Sequence, residues 1–300
     1  MTVRPAPRGI LLVDKPGGVT SHDVVARARR ALNTRKIGHA GTLDPMATGL
    51  LVLGVGPATR LLTYLVGLDK TYEATIRLGV STDSDDADGA ETGRADAGAL
   101  AAVGDDDIVA GVAALTGEID QVPSRVSAIK VGGKRAYDLA RAGEHVELKA
   151  RRVTISRFEI RDVRHADAAV DVDVVVDCSS GTYVRALARD LGADLGVGGH
   201  LTALRRMRIG PFDVSAAATE IVADAPLRAD ADVAAAVLGV FAVTADEARD
   251  LRHGKRLAGA AARLPSPTPA AIDPDGVLVG IVERRGEDVK SIMNMAEEQS

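Results

Sequence analysis

The feature that most constrains this chain is the stretch Gly38-His39-Ala40-Gly41-Thr42-Leu43-Asp44-Pro45-Met46-Ala47-Thr48-Gly49. Three glycines and a proline in twelve residues cannot continue a helix or a strand, so the stretch must be a shaped loop. Leu50-Leu51-Val52-Leu53 follows at once and reads as a short buried strand. A loop that runs into a buried strand is held at that end and can present a side chain with little freedom. Asp44 is the candidate, with Pro45 fixing the backbone after it. Asp-Pro alone is an ordinary turn. Here a basic segment lies just upstream, and a second glycine-and-proline loop occurs at Asp14-Lys15-Pro16-Gly17-Gly18.

Around this loop the pattern is mixed. Gly9–Val13 reads as a strand, and Thr20, Ser21 or Asp23 can cap a helix from Val24 to Leu32. Val24, Val25, Ala28 and Leu32 form its apolar face, with Arg27, Arg29 and Arg30 mostly away from it. Gly56–Thr59 opens a short helix to Val66, and Tyr72–Leu78 alternates as a half-buried strand. Ile108–Leu115 reads as a helix, Val126–Val131 as a strand and Arg135–Ala142 as a helix. Val146–Ile155 and Phe158–Ile160 read as strands. Ala169–Cys178 is the clearest strand, with valines and Cys178 on one face and three aspartates on the other. Cys178 is therefore core. A helix runs from after Thr182 to Leu191, with Tyr183 and Arg185 in its first turn. A basic residue there opposes the helix dipole and calls for an acidic partner. Leu201–Ile209 is arginine-rich, and residues 215–240 read as short helices or a linker. Val277–Glu283 and Val289–Met293 read as strands of a small β-rich appendage, and Met295–Ser300 as disordered.

Composition narrows the function classes. At 46% hydrophobic and 2% aromatic, with no Trp, the core must be aliphatic. No apolar run is long enough to span a membrane, Ile10–Val13 is too short for a signal peptide, and one cysteine makes no internal disulfide. A cytoplasmic protein is expected. The net charge of −5 is less informative than its distribution. Basic runs at Arg27–Lys36, Lys149–Arg157 and Arg205–Arg208 flank the proposed site and read as a phosphate-binding surface. The acids gather at Asp83–Glu91 and Asp105–Asp107. The Asp83–Gly89 run hints at a calcium loop but lacks the downstream ligands of one. The histidines show no metal-ligand spacing, and there is no dinucleotide fingerprint or P-loop.

The two glycine loops together resemble the TruB family of tRNA pseudouridine synthases. The first matches that family's Lys-Pro motif and the second its Gly-His-x-Gly-x-Leu-Asp-Pro-x-Ala-x-Gly motif. The resemblance continues through Lys70-Thr71-Tyr72, Gly181-Thr182-Tyr183-Val184-Arg185 and Leu204-Arg205-Arg206, over about the first 210 residues. It implies an α+β pseudouridine synthase fold, a large mainly antiparallel mixed sheet with flanking helices. A catalytic domain is expected over 1–225 and a small PUA-like RNA-binding domain over 226–295. It also implies isomerisation of the T-loop uridine of tRNA, uridine-55, on a flipped-out base, by a monomer with no cofactor and no metal.

By motif match Asp44 is the nucleophile, attacking ribose C1′ or acting first at C2′. Arg185 is the cation expected to hold its pKa down. Tyr72 is matched to the contact with the uracil ring and to removal of the C5 proton. Tyr183 and Leu204 line the base pocket, and His39 fills the space the base vacates. Lys15 braces the Asp44 loop or contacts phosphate. Two rivals remain at this point: an RNA-binding protein without catalysis, and a metal-dependent hydrolase using His39, Asp44 and the Asp83–Asp88 run.

Overall fold

The computed structural model describes residues 6–124, 130–131, 134–135 and 148–295 of the chain. The expected helix at Arg135–Ala142, most of the strand at Val126–Val131, the first residues of that at Val146–Ile155, and the terminal five residues lie outside the described part.

In chain order the first elements are β1 (Gly9–Lys15), α1 (Ser21–Ala31), β2 (Ile37–His39) and β3 (Thr48–Val55). A 3-10 turn (Gly56–Leu61) leads into α2 (Leu62–Val66), then β4 (Lys70–Leu78), β5 (Val80–Thr82) and β6 (Glu91–Arg94). Next come α3 (Ala97–Ala101), α4 (Asp105–Ala114), β7 (Gly117–Gln121) and a small pair, β8 (Lys130–Val131) with β9 (Lys134–Arg135). β10 (Arg151–Ala166), β11 (Ala169–Cys178), α5 (Val184–Asp194), β12 (Gly199–Ile209) and β13 (Phe212–Asp213) complete the larger part. The C-terminal part holds α6 (Asp230–Leu238), β14 (Val240–Ala242), α7 (Ala245–Arg252), β15 (Ala270–Ile272), β16 (Leu278–Arg285) and β17 (Asp288–Asn294).

The main sheet has nine strands in the order β1-β3-β12-β4-β11-β10-β7, with β2 on β3 and β13 on β12. Every pairing is antiparallel except the short β3–β12 contact, so the sheet is mixed and mainly antiparallel, as expected. Its β1–β3 end is covered on both faces. Leu11, Val13, Leu51 and Leu53 pack on α1, while Ile10, Leu12, Leu50 and Val52 pack towards Phe212 and Val233. Burial on both sides is why these two segments read as unbroken apolar runs. The β4–β11 half is one-sided. Tyr72, Ala74, Ile76 and Leu78 join Val170, Val172, Val174 and Val176 in the core beneath α4 and α5. The other face carries the cross-strand pairs Thr71·Asp177, Thr75·Asp173 and Arg77·Asp171. Those pairs explain the alternating aspartates of β11.

α1 begins at Ser21, three residues before the expected Val24, because Thr20 is the cap among the three candidates. Thr20 accepts from the Asp23 backbone N–H at 3.1 Å, and the Asp23 carboxylate accepts from the Thr20 N–H at 2.9 Å, a capping box. Three segments differ from the sequence reading. β10 is one strand of sixteen residues, because bulges at Ile155/Arg157 and Ile160/Asp162 absorb the apparent interruption. β7 was not foreseen, since Gly117-Glu118-Ile119-Asp120-Gln121 is an exposed edge strand with little apolar alternation. The arginine-rich Leu201–Ile209 segment is β12, near the centre of the sheet. The C-terminal sheet runs β14-β15-β16-β17 over its own core of Phe241, Leu251, Val279 and Val289. α6 packs Ala231 and Ala234 between Leu61 and the residues Leu278 and Ile281 of that sheet.

Candidate active site

Asp44 sits on the loop between β2 and β3, and this loop is braced from three directions. From α1, the buried Ser21 Oγ donates to the Leu43 carbonyl at 3.1 Å and accepts from its N–H at 2.9 Å. From the first glycine loop, the Gly18 N–H donates to the Pro45 carbonyl at 2.9 Å. Lys15, fully buried, donates to the carbonyls of Val19 at 2.6 Å, Pro16 at 3.0 Å and Pro45 at 3.3 Å. From β12, Arg206 is 1% exposed and donates to Leu50 O at 2.7 Å, Gly41 O at 3.1 Å and Thr42 O at 3.4 Å. Gly49, at φ +98, lets β3 reach β12, because a Cβ there would strike the Arg206 backbone.

The side chain of Arg185 is 4% exposed and lies along the Asp44 carboxylate. Its Nε is 3.0 Å from one oxygen and its Nη2 3.2 Å from the other. Its Nη1 reaches Asp86 Oδ2 at 3.2 Å and donates to the Ser84 carbonyl at 2.7 Å. The helix-dipole argument called for an acid opposite Arg185, and two are present. Arg189, one turn on, pairs with Asp85 at 3.2 Å and donates to the Val122 carbonyl at 2.7 Å. Two acids of the Asp83–Asp88 run are thus engaged by α5. Asp85 and Asp86 are buried partners of α5, and among the described residues no acid, His or Cys cluster could hold a metal ion.

Asp44, Tyr72, Tyr183, Arg185 and Leu204 line one cavity of about 290 Å³. That is near the lower end of ligand-pocket sizes, and fits a single small ring system. Tyr72 and Leu204 are 7% and 8% exposed. Lys15 and His39 are not among the lining residues. Lys15 is spent on carbonyls and does not face solvent. His39 lies beside the cavity edge-on to His22, ring centroids 5.5 Å apart, with its Nδ1 buried and unpartnered.

Two residues that the sequence did not single out shape this site. Asp86 shares Arg185 with Asp44. Gln121, 2% exposed, holds the backbone of Tyr183 with both ends of its amide: it accepts from the Tyr183 N–H at 2.8 Å and donates to its carbonyl at 3.1 Å. Tyr183 is the N-cap of α5 and has no side-chain cap of its own, so Gln121 supplies one from a distance. No local pattern in the sequence announces either contact.

The electrostatics correct one expectation. Burial raises the Asp44 carboxyl above the usual carboxylate range. The Arg185 guanidinium pulls it back, with Lys15 assisting, and Asp86 and Asp88 push it up further. The sum is a raised pKa, because desolvation outweighs the ion pair that was expected to lower it. Burial likewise lowers Lys15 and Lys70 to about 8, and raises the Tyr72 phenol.

The third basic run also departs from expectation. Arg205 pairs with Asp14, Arg206 is buried on carbonyls, and Arg208 is tied to Thr71 and Gly210. Of the three only Arg206 is withdrawn from the surface; Arg205 and Arg208 stay partly exposed. Arg27, Arg30, Arg35 and Lys36 remain exposed beside the Asp44 loop.

Comparison with known proteins shows the family and the fold. The family model "TruB family pseudouridylate synthase (N terminal domain)" matches residues 29–184. "tRNA pseudouridylate synthase B C-terminal domain" matches 185–242 and "tRNA Pseudouridine synthase II, C terminal" matches 238–296. A protein of Leifsonia xyli named tRNA pseudouridine synthase B is 56% identical over 289 residues, covering 95% of this chain and 96% of the relative. One of the same name from Nocardia farcinica is 57% identical over 286 residues, covering 93% and 90%. Among solved structures, an H/ACA RNP bound to a substrate RNA containing 2′-deoxyuridine aligns at a TM-score of 0.69 and 23% identity. That alignment covers 97% of this chain and 86% of the other. A Cbf5-Nop10-Gar1 complex aligns at 0.69 and 24%, covering 96% and 84%. The fold is that of pseudouridine synthases, and the C-terminal sheet is consistent with a PUA-like domain.

Proposed function

This chain belongs to the TruB family of pseudouridylate synthases, and from that premise we propose that it isomerises the T-loop uridine of tRNA, uridine-55, to pseudouridine with Asp44 as nucleophile. The observation that carries the reading is the Asp44–Arg185 pair in the wall of a cavity sized for one small ring and lined by Tyr72, Tyr183 and Leu204.

The reaction breaks the bond from N1 of uracil to ribose C1′ and joins C5 of the same base to C1′. No atom is gained or lost and no electron leaves, so the chemistry asks for positioning and acid–base groups rather than a redox cofactor. Uracil in a folded RNA is stacked, and must be swung out before a side chain reaches C1′. Tyr72, Tyr183 and Leu204 offer the extruded ring an apolar and aromatic seat. His39, at the loop edge, takes up the vacated space. Asp44 acts at the sugar, at C1′ or first at C2′. Its raised pKa makes the oxygen a better nucleophile, while Arg185 favours the anion and fixes the direction of its lone pairs. Tyr72, whose side chain lines the cavity, is assigned to take the C5 proton. Lys15 acts through the loop it braces. The exposed arginines of α1 meet the RNA backbone. We place the catalytic unit at 1–225 and an RNA-binding unit at 226–295, working as a monomer in the cytoplasm.

The test is unmodified tRNA transcript with the purified protein, assayed for pseudouridine at position 55. Asp44→Asn and Asp44→Ala are expected to lose turnover while still binding tRNA. Wild-type turnover in both would sink the assignment, and would favour an RNA-binding protein without this chemistry.

A further inference from the structure

Arg206 is a costly residue for its position. Its guanidinium is buried in the middle of the sheet on three backbone carbonyls, and among the described residues no carboxylate lies within ion-pair distance of it. A buried cation without an anion is expensive, and a neutral donor can satisfy carbonyls more cheaply. The sheet register shows what else it faces. Arg206 is the direct cross-strand partner of Tyr72 in the antiparallel β12–β4 pair, so the two side chains stand side by side on one face. Both line the cavity that holds Asp44. From that neighbouring position its charge opposes the rise that burial imposes on the Tyr72 phenol.

We propose that Arg206 is a positioning residue for the last proton transfer, supporting from the neighbouring strand the negative charge that the Tyr72 oxygen carries in passing. The proposal rests on the reading of the chain as a pseudouridine synthase with Tyr72 at the C5 proton. After C5 has joined C1′, C5 still bears its hydrogen and the ring holds a C6=N1 double bond. Tyr72 gives its proton to N1 and becomes a phenolate. The phenolate then takes the proton from C5, the C–H pair becomes the C5=C6 bond, and the C6=N1 pair returns to N1. The net change moves one proton from C5 to N1, and Tyr72 ends as it began. N1 and C5 flank C6, so one oxygen facing that edge serves both. An arginine suits the task because it does not lose its own proton in a protein.

The experiment uses the full-length protein and tRNA transcripts made with uridine or with [5-²H]uridine, read in single turnover. Arg206→Gln keeps hydrogen-bond donors and removes the charge. It is expected to slow turnover about 100-fold, the scale of a lost general acid–base contribution, and to show a larger deuterium effect than wild type. Arg206→Lys restores charge without the fork and lies between the two. Tyr72→Phe shows the same enlarged isotope effect. A slow Arg206→Gln enzyme with the wild-type isotope effect overturns the proposal, because the guanidinium then only ties down the 41–42 loop. A wild-type rate overturns it too. Should the glutamine variant fail to fold, Arg206→Lys carries the test by the same comparison: a wild-type isotope effect overturns the proposal. If wild type turns over but Tyr72→Phe has the wild-type isotope effect, the Tyr72 step fails and this proposal with it. If wild type makes no pseudouridine at all, it is the underlying functional reading that has failed.

Discussion

Replacing Gln121 by Met should loosen the active site from outside it. The two side chains are close in volume, so the change leaves little cavity and chiefly removes the amide. The Tyr183 N–H then loses its acceptor at 2.8 Å, and an orphaned donor of this kind costs about 1–3 kcal/mol. The Tyr183 carbonyl loses little, because it still accepts from the N–H groups of Ala186 at 3.0 Å and Leu187 at 3.3 Å. A net loss of about 2 kcal/mol follows, or a fall in melting temperature of about 4–8 °C, nearer the lower figure in a chain this long. The catalytic effect is larger than the stability effect suggests. Tyr183 lines the cavity and Arg185 is two residues on, so a freed N-cap shifts both. Misplacement of about 1 Å can cost up to about 100-fold in rate. Gln121→Glu retains the acceptor for the N–H and sets an oxygen against the carbonyl, so it should lie between wild type and Met. The assay is thermal melting followed by circular dichroism, beside kcat and KM on tRNA. If Gln121→Met melts within 1 °C of wild type and turns over as fast, the argument that this amide positions the α5 N-terminus is wrong.

Asp86→Asn removes a negative charge that pushes the Asp44 pKa up, so the acid limb of kcat/KM should move to lower pH, with kcat reduced as Arg185 loses an anchor. Arg185→Met should move the same limb the other way, and a common direction in both would refute the shared-guanidinium account. Lys15 and Lys70, at about 8 when folded against 10.5, bind fewer protons folded than unfolded above pH 8, so unfolding free energy should rise by roughly 1–2 kcal/mol from pH 8 to 9. Cys178, held up at about 11 from 9.0, works in the opposite sense above pH 9 and should level the curve; urea melts across pH 7.5 to 10 would show it. For tRNA binding, Arg30→Gln should lower the slope of log K against log salt by about 1 if this exposed residue neutralises one phosphate, and an unchanged slope would remove α1 from the interface.

What the sequence showed and what it hid follow from the range of the forces involved. The presence of α1 and the neighbourhood of its start were visible because capping is local, within Thr20 to Asp23. The Asp44 loop was visible because glycine and proline restrict the backbone wherever they stand. β11 was visible because one buried face imposes a period of two. The pairing of Arg185 with Asp86 was hidden, since those residues are 99 positions apart and buried charge pairing leaves no periodic trace. For the same reason Asp83–Asp88 resembled a metal loop. Asp85, at φ +60, and Asp86 turn inward to α5 instead. Within the Arg205–Arg208 run, the burial of Arg206 was hidden because composition cannot tell a solvated arginine from one donating to carbonyls inside a sheet. β7 was missed because an edge strand needs no apolar face.

The choice of partners around the loop has its own logic. Lys15, Lys70 and Arg206 are buried within reach of the cavity floor, and the hydrogen bonds they make go to backbone carbonyls: those of Pro16, Val19 and Pro45, of Val66 and Leu68, and of Leu50, Gly41 and Thr42. Acids in place of those carbonyls would have compensated the charges better. They would also have crowded Asp44 with further anions, and each would raise its pKa as Asp86 and Asp88 already do. Bracing through carbonyls fixes the loop without adding to that repulsion. The cost falls on the cations, and the two lysines register it as pKa values near 8. Arg206 cannot relieve the cost by losing a proton, so it remains a permanent positive charge beside Tyr72.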